Sequence, residues 1–297
     1  MSDRKDVILF IAMASFWASN YPVSSIGISY GNPFDLLYYR ILFAFIGILV
    51  IFNRKIGLPK DMKSFVKMTV LALFNVLIFM NLWFYSETMI SSSLSAIIIY
   101  TYPITASLMS IVFLKEKFVA GTIVGIILGF MGMILIFYSS ISSSSYIGIM
   151  MSFGGSVSWA IGTVYYKKYM LGESSVSSNF YQFAISLVPM VIIAYFLGNP
   201  VDLYAPPPMF VLAGFLTGVP GTAVAYYSYL YLFRKHEIGR ISSLLFIVPA
   251  ISVVMSYFIL GTTLSLEQLG GMALIIVGII FSISKNGTKR QFDAKEI

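Results

Sequence analysis

The 297-residue sequence has no cysteine and a single histidine, His236. Disulfides, thiolate nucleophiles and cysteine-ligated metals are thereby excluded, and a histidine-rich metal site cannot be assembled. Charge is scarce too. Asp, Glu, Lys and Arg make up 10% of the chain, against about 25% in soluble globular domains. With 58% hydrophobic residues and a mean hydropathy of +0.88, so few polar groups cannot cover a 33.0-kDa body in water, and lipid must be its main solvent. What the sequence has is long apolar runs, near residues 7–30, 34–53, 65–85, 91–114, 119–138, 146–166, 176–197, 208–233, 240–260 and 267–284. Each is long enough to cross a bilayer as a helix, which takes about 20 residues. Ten such helices use up the chain and leave no room for a separate soluble catalytic domain. The first run has no small-residue cleavage pattern after it and reads as a retained helix.

The net charge of +7 is not spread evenly. If the N-terminus is cytoplasmic, 18 of the 19 lysines and arginines fall in the inside segments. The five outer connections, near 31–33, 86–90, 139–145, 198–207 and 261–266, hold none, although Glu87 and Asp202 lie in them. That split follows the positive-inside rule. The basic balance is therefore a topology signal, not a nucleic-acid footprint. It predicts a multi-pass protein of the cell membrane with both termini cytoplasmic.

Ten spans invite a search for duplication. Shifting residues 96–136 by 146 positions aligns Pro103 with Pro249, Met109-Ser110 with Met255-Ser256, Gly125 with Gly271 and Gly132 with Gly278. Earlier in the halves the shift becomes 142 and pairs Trp17 with Trp159. The predicted fold is all-α: residues 1–138 form one five-helix repeat, 139–145 a serine-rich linker, 146–285 a second repeat, and 286–297 a cytoplasmic tail. An odd number of spans per repeat inserts the second copy upside down. Two inverted halves supply two conformations of comparable energy, one open to each side, as secondary transporters require.

The run Phe16-Trp17-Ala18-Ser19-Asn20-Tyr21-Pro22, then Pro33 with Arg40 seven residues on, then Tyr102-Pro103 followed by Leu114-Lys115-Glu116-Lys117 and Gly125/Gly132, resembles the EamA-type branch of the drug/metabolite transporter superfamily. The resemblance covers nearly the whole chain. It implies export of amino acids or similar small metabolites. It also implies a central cavity between the first four helices of each half, with the fifth and tenth helices peripheral. One departure stands out: the glutamate seen as Glu116 usually recurs in the second half, where this chain has Thr262.

Candidate functional residues follow from cost and spacing. Arg40 is the one basic residue in the core of a predicted span, away from its ends, and intramembrane ions are expensive enough to read as functional by default. It is expected either to bind a substrate carboxylate or to gate with Glu87 or Asp35. Pro103 and Pro249 should each free the carbonyl four residues earlier, of Ile99 and Leu245, and kink the fourth and ninth helices beside Tyr100 and Phe246. Asn75, Phe79 and Trp83 recur every four residues on the third helix, and Thr222, Tyr226 and Tyr229 follow one another at spacings of four and three on the eighth. With Trp17, Asn20, Tyr21, Trp159 and Thr163 they predict an aromatic-walled site with a few polar groups, suited to a small molecule. Gly121, Gly125, Gly129 and Gly132, with Gly271 and Gly278, predict close helix packing inside a monomer, with a homodimer interface as the lesser alternative. No cofactor is called for. The rival classes are an integral-membrane enzyme acting on lipid, which would need a cluster of acids, histidines or a metal, and a channel, which would need a charged or filter-like pore.

Overall fold

The computed structural model describes residues 3–117, 119–138 and 145–283; residues 139–144 of the expected linker and the expected tail lie outside the described residues. Ten long apolar helices run through it: α1 Arg4–Ile28, α2 Pro33–Lys55, α3 Met62–Ser86, α4 Ser92–Leu114, α5 Ala120–Phe137, α6 Tyr146–Tyr169, α7 Ser175–Leu197, α8 Pro208–Lys235, α9 Ile238–Leu260 and α10 Leu266–Ile283. They match the expected runs to within a few residues, and no strand occurs among the described residues. Length follows from the apolar runs, while the starts are fixed by polar residues placed to cap orphan amides. Asn32 accepts from Phe34 N, Asp61 from Ser64 N, Ser91 from Leu94 N, Ser145 from Gly148 N and Ser174 from Ser177 N.

The two halves repeat in register through their irregularities as well as their helices. A π-helical turn interrupts α3 at Leu73–Ile78 and α8 at Val219–Val224, 146 positions apart. Both α4 and α9 are broken in two. Half-helix α4a (Ser92–Ile99) gives way to α4b (Tyr102–Leu114), and α9a (Ile238–Leu244) to α9b (Ile247–Leu260). Pro103 and Pro249 sit in the first turns of α4b and α9b, where a missing N–H breaks no intrahelical bond. The breaks are as expected, but one freed carbonyl is not. Leu245 O accepts from Val248 N at 3.0 Å, a tightened turn that recovers the bond. In the other break Ile98 O takes both the N–H and the hydroxyl of Thr101.

Each broken helix ends in a left-handed residue, Lys115 at φ 57° and Gly261 at φ 67°. Glycine tolerates this conformation and lysine does not. Lys115→Gly is therefore expected to raise stability by about 0.5–1 kcal/mol, read as a higher melting temperature in detergent.

Helices α5 and α10 pack against one another at the edge of the molecule through their glycines. A Cβ on Gly125 would lie 2.7 Å from Gly278 O, and one on Gly132 2.5 Å from Gly271 O. Partners are exchanged between the halves: Gly125 corresponds to Gly271 and Gly132 to Gly278, yet each meets the counterpart of the other. A two-fold relation between the halves would produce such an exchange. Gly129 instead receives the ring of Phe246. These glycine faces are thus filled within one chain.

Candidate functional site

A cavity of about 430 Å³ lies between α1, α2, α3, α4a, α6, α8 and α9b, with Phe137 at the end of α5 also in its lining. Its mouth is edged by Ser25 and Ile28 at the end of α1, Ser92 at the start of α4a and Leu260 at the end of α9b. This end of the molecule is opposite the one that carries the lysine- and arginine-rich connections.

Aromatic rings line its depth. Trp83 stacks on Phe79 (centroids 5.7 Å apart), Phe79 on Trp159 (4.8 Å) and Trp159 on Tyr102 (3.8 Å), forming a column from the cavity into the closed half. Trp17 meets Trp159 edge-on at 5.5 Å and Tyr226 at 5.7 Å. Since Trp17 and Trp159 are counterparts in the two halves, their contact sits where the halves meet. All three tryptophans of the chain line this one cavity.

Arg40 enters from α2. It is 3% exposed, donates from Nε to Thr222 Oγ1 at 2.7 Å, and its Nη1 has no hydrogen-bond partner among the described residues. Trp159 Nε1 is likewise buried and unpartnered there. Glu87, just past the end of α3, accepts from Trp83 Nε1 at 2.9 Å. Burial pushes its carboxyl up to about 7, against the lowering effect of that indole bond. Neither Glu87 nor Asp35, the expected gating partners, pairs with Arg40 in this structure, which is open at their end. Arg40 has no salt bridge among the described residues, and Asp35 points to the loop instead, accepting from Asn199 N at 2.6 Å.

Of the predicted site residues, Trp17, Asn20, Tyr21, Phe79, Trp83, Tyr100, Trp159 and Tyr226 line the cavity together with Arg40 and Glu87. Five others are not among its lining residues. Thr222 lies buried in the π turn of α8, where it accepts from Arg40 Nε. Asn75 falls in the π turn of α3, whose extra residue takes it out of line with Phe79 and Trp83. It is fully buried against Gly162, where a Cβ would lie 2.0 Å from its Oδ1. Its counterpart contact is Asn20 on Gly221 in the π turn of α8, with Asn20 Nδ2 donating to Gly221 O at 3.1 Å. Thr163 and Tyr229 hydrogen-bond to each other and to the Tyr102 hydroxyl, all buried toward the closed end. Phe246 is fully buried between Tyr100 and Gly129. For Thr163, Tyr229 and Phe246 periodicity carries no signal for depth, and for Asn75 the π turn alters the face as well. Missed entirely were Ser92, Ser93 and Ser256, small polar residues at the mouth with no chemical signature of their own.

The opposite end is closed by ion pairs. Glu116 pairs with Lys167 at 2.8 Å and accepts from Ile238 N at 2.9 Å. Asp6 joins Lys235 at 2.9 Å and His236 at 2.7 Å. Burial lowers the His236 imidazole below its ordinary value, with Asp6 opposing. Glu173 accepts from Ser64 Oγ at 2.8 Å, while its carbonyl takes Arg234. Among the described residues no three His, Asp or Glu side chains group as a metal site.

Comparison with known proteins places this architecture. The EamA-like transporter family matches residues 4–138 and again 146–284, once in each half. The uncharacterized transporter YvbV of Bacillus subtilis is 26% identical over 96% of this chain and 94% of its own. An uncharacterized transporter of Archaeoglobus fulgidus is 23% identical over 95% and 99%. A WAT1-related chloroplastic protein of Arabidopsis thaliana is 25% identical over 89% and 66%. A solved crystal structure at 14% identity superposes with a TM-score of 0.81 over 95% of this chain and 97% of that one, a likeness of fold. With ten apolar helices and a family match over both halves, the chain is a multi-pass membrane protein that belongs to the EamA-like transporter family of the drug/metabolite transporter superfamily.

Proposed function

We propose that the protein is a secondary transporter of the cell membrane that moves small carboxylate-bearing metabolites, amino acids foremost, by alternating access through the aromatic cavity. Export is the direction we assign, with both termini in the cytoplasm. The observation that carries the substrate class is Arg40: a buried guanidinium with a free Nη1 lining an apolar cavity provides for an anionic acceptor that the protein itself does not supply. The stacked rings favour a flat or apolar body on that ligand. The exchanged glycine contacts and the matched π turns and helix breaks support the inverted-repeat reading on which alternation depends. The closed lysine-rich end and the open opposite end are what one of the two alternating states requires.

The test is counterflow in proteoliposomes loaded with unlabelled amino acids, amines, nucleosides or sugar phosphates. Saturable accumulation of a labelled amino acid or related carboxylate is expected. Accumulation of amines or nucleosides alone would contradict the substrate class, and lipid turnover without any exchange would favour the enzyme reading. Facilitated diffusion or exchange is the mode we assign, because among the described residues no acid lies at mid-depth of a span. Proton coupling is the second reading, favoured by Glu87, the sole carboxylate lining the cavity among the described residues. Proton flux that tracks substrate in sealed vesicles, and is lost in Glu87→Gln, would establish it.

A further inference from the structure

The irregularities common to both halves let each contact at the closed end be mapped onto its counterpart at the open end. At the closed end α4b packs against α9a, whereas their counterparts, α9b and α4a, stand apart with the cavity mouth between them. Glu116 spans the closed contact. From the loop after α4b its carboxylate accepts from Ile238 N at the start of α9a, at 2.9 and 3.2 Å, and pairs with Lys167 at the end of α6. Lys167 in turn donates to His236 O. One side chain thus ties three helix ends together with an ion pair and charge-assisted hydrogen bonds, the strong kind.

The counterparts of Glu116, Ile238 and Lys167 are Thr262, Ser92 and Ser25. Ser25 and Ser92 edge the open mouth, and Thr262 follows Leu260 there, exposed. When the mouth closes, a threonine hydroxyl can accept one neutral bond from Ser92 N but cannot pair with a serine at 25. Resting on the alternating-access reading, we infer that Glu116 is a one-sided latch whose missing counterpart at Thr262 biases the resting protein toward the state open at the end opposite its lysines. The partners of Glu116, Lys167 and Ile238, are not among the residues that line the cavity. Glu116 acts on the populations of the two states and is a positioning residue.

Because the natural chain has no cysteine, single thiols report on each face. Ala96 lines the cavity, and its counterpart, Ser242, is buried at the closed end. Ala96→Cys and Ser242→Cys are placed separately in the full chain, purified in nanodiscs, and their rates of reaction with a small charged thiol reagent are measured. The latch predicts that Glu116→Gln slows the Ala96→Cys reaction and speeds the Ser242→Cys reaction, together shifting their ratio by roughly tenfold or more. Lys167→Gln should act in the same direction. Thr262→Glu combined with Ser25→Lys leaves Glu116 intact and builds the missing latch, so it should also slow Ala96→Cys, which keeps the test decisive if Glu116→Gln does not fold. A Ser242→Cys thiol that reacts slowly in the parent, with a ratio unchanged in every latch variant, overturns the latch and leaves alternation standing. A Ser242→Cys thiol that is inert in every background overturns alternation and the latch with it.

Discussion

Arg40→Met is expected to reduce transport (kcat/KM) of a carboxylate substrate by about 100-fold or more, the loss that follows when one partner of a buried charge pair is truncated, while the protein remains as stable as before or gains stability. The two halves of this result have different causes. Transport falls because the only cation lining the cavity among the described residues is gone. Stability is spared because the parent already holds a buried guanidinium with no carboxylate partner among the described residues. Removing an uncompensated buried charge relieves a desolvation cost that offsets the lost bond to Thr222. A purely structural arginine would behave in the opposite way, with melting temperature and membrane level falling together. Arg40→Lys should recover little, since a point charge on a flexible stem cannot keep the Thr222 bond and also present the planar fork to a carboxylate. Counterflow initial rates and melting curves on the same preparations separate the cases. Parental transport in Arg40→Met would remove Arg40 from the site.

The second large effect is expected in the seam between α5 and α10. A methyl on Gly132 would meet Gly271 O at 2.5 Å, and one on Gly271 would meet Gly132 O at the same distance. Both obstacles are backbone, so relief requires the two helices to move apart along their length. Gly132→Ala and Gly271→Ala should each destabilise the protein by about 1–3 kcal/mol. The double variant should cost less than the sum, because both methyls are relieved by one separation. Gly270→Ala is the control one residue away: its nearest neighbour would be Leu135 Cδ2 at 3.4 Å, and it should melt within error of the parent. Equal melting of Gly271→Ala and Gly270→Ala would show that the seam does not depend on close approach.

The parts of the structure that lipid dictates were legible in the sequence. An apolar solvent makes the length of an apolar run equal to the length of a helix, so ten runs became ten spans. The lone core cation and the aromatic spacing led to most of the cavity, including all three tryptophans. What escaped is what arises between helices. The π turns at 73–78 and 219–224 insert a residue without any compositional mark, which displaced Asn75 from the face it shares with Phe79 and Trp83 in an ideal helix. Spacing could not say that Thr163 and Tyr229 lie beneath the cavity, joined to Tyr102, because periodicity fixes direction and not depth. Spacing likewise could not say which groups hold Arg40 and Glu87 in the state seen here. Both residues line one cavity, but Glu87 is held by the indole of Trp83 and Arg40 by Thr222.

Since every tryptophan of the chain borders the cavity, intrinsic tryptophan emission reports its occupancy without any label. Titration of the purified protein with an amino acid shown to undergo exchange is the most direct measurement. A saturable change in emission, with a midpoint near the half-saturation of transport and absent in Arg40→Met, is the result predicted for a carboxylate bound among Trp17, Trp83 and Trp159 and held by Arg40. An exchanged substrate that leaves the emission unchanged, or that changes it equally in the parent and in Arg40→Met, would contradict the assignment of this cavity as the transport site.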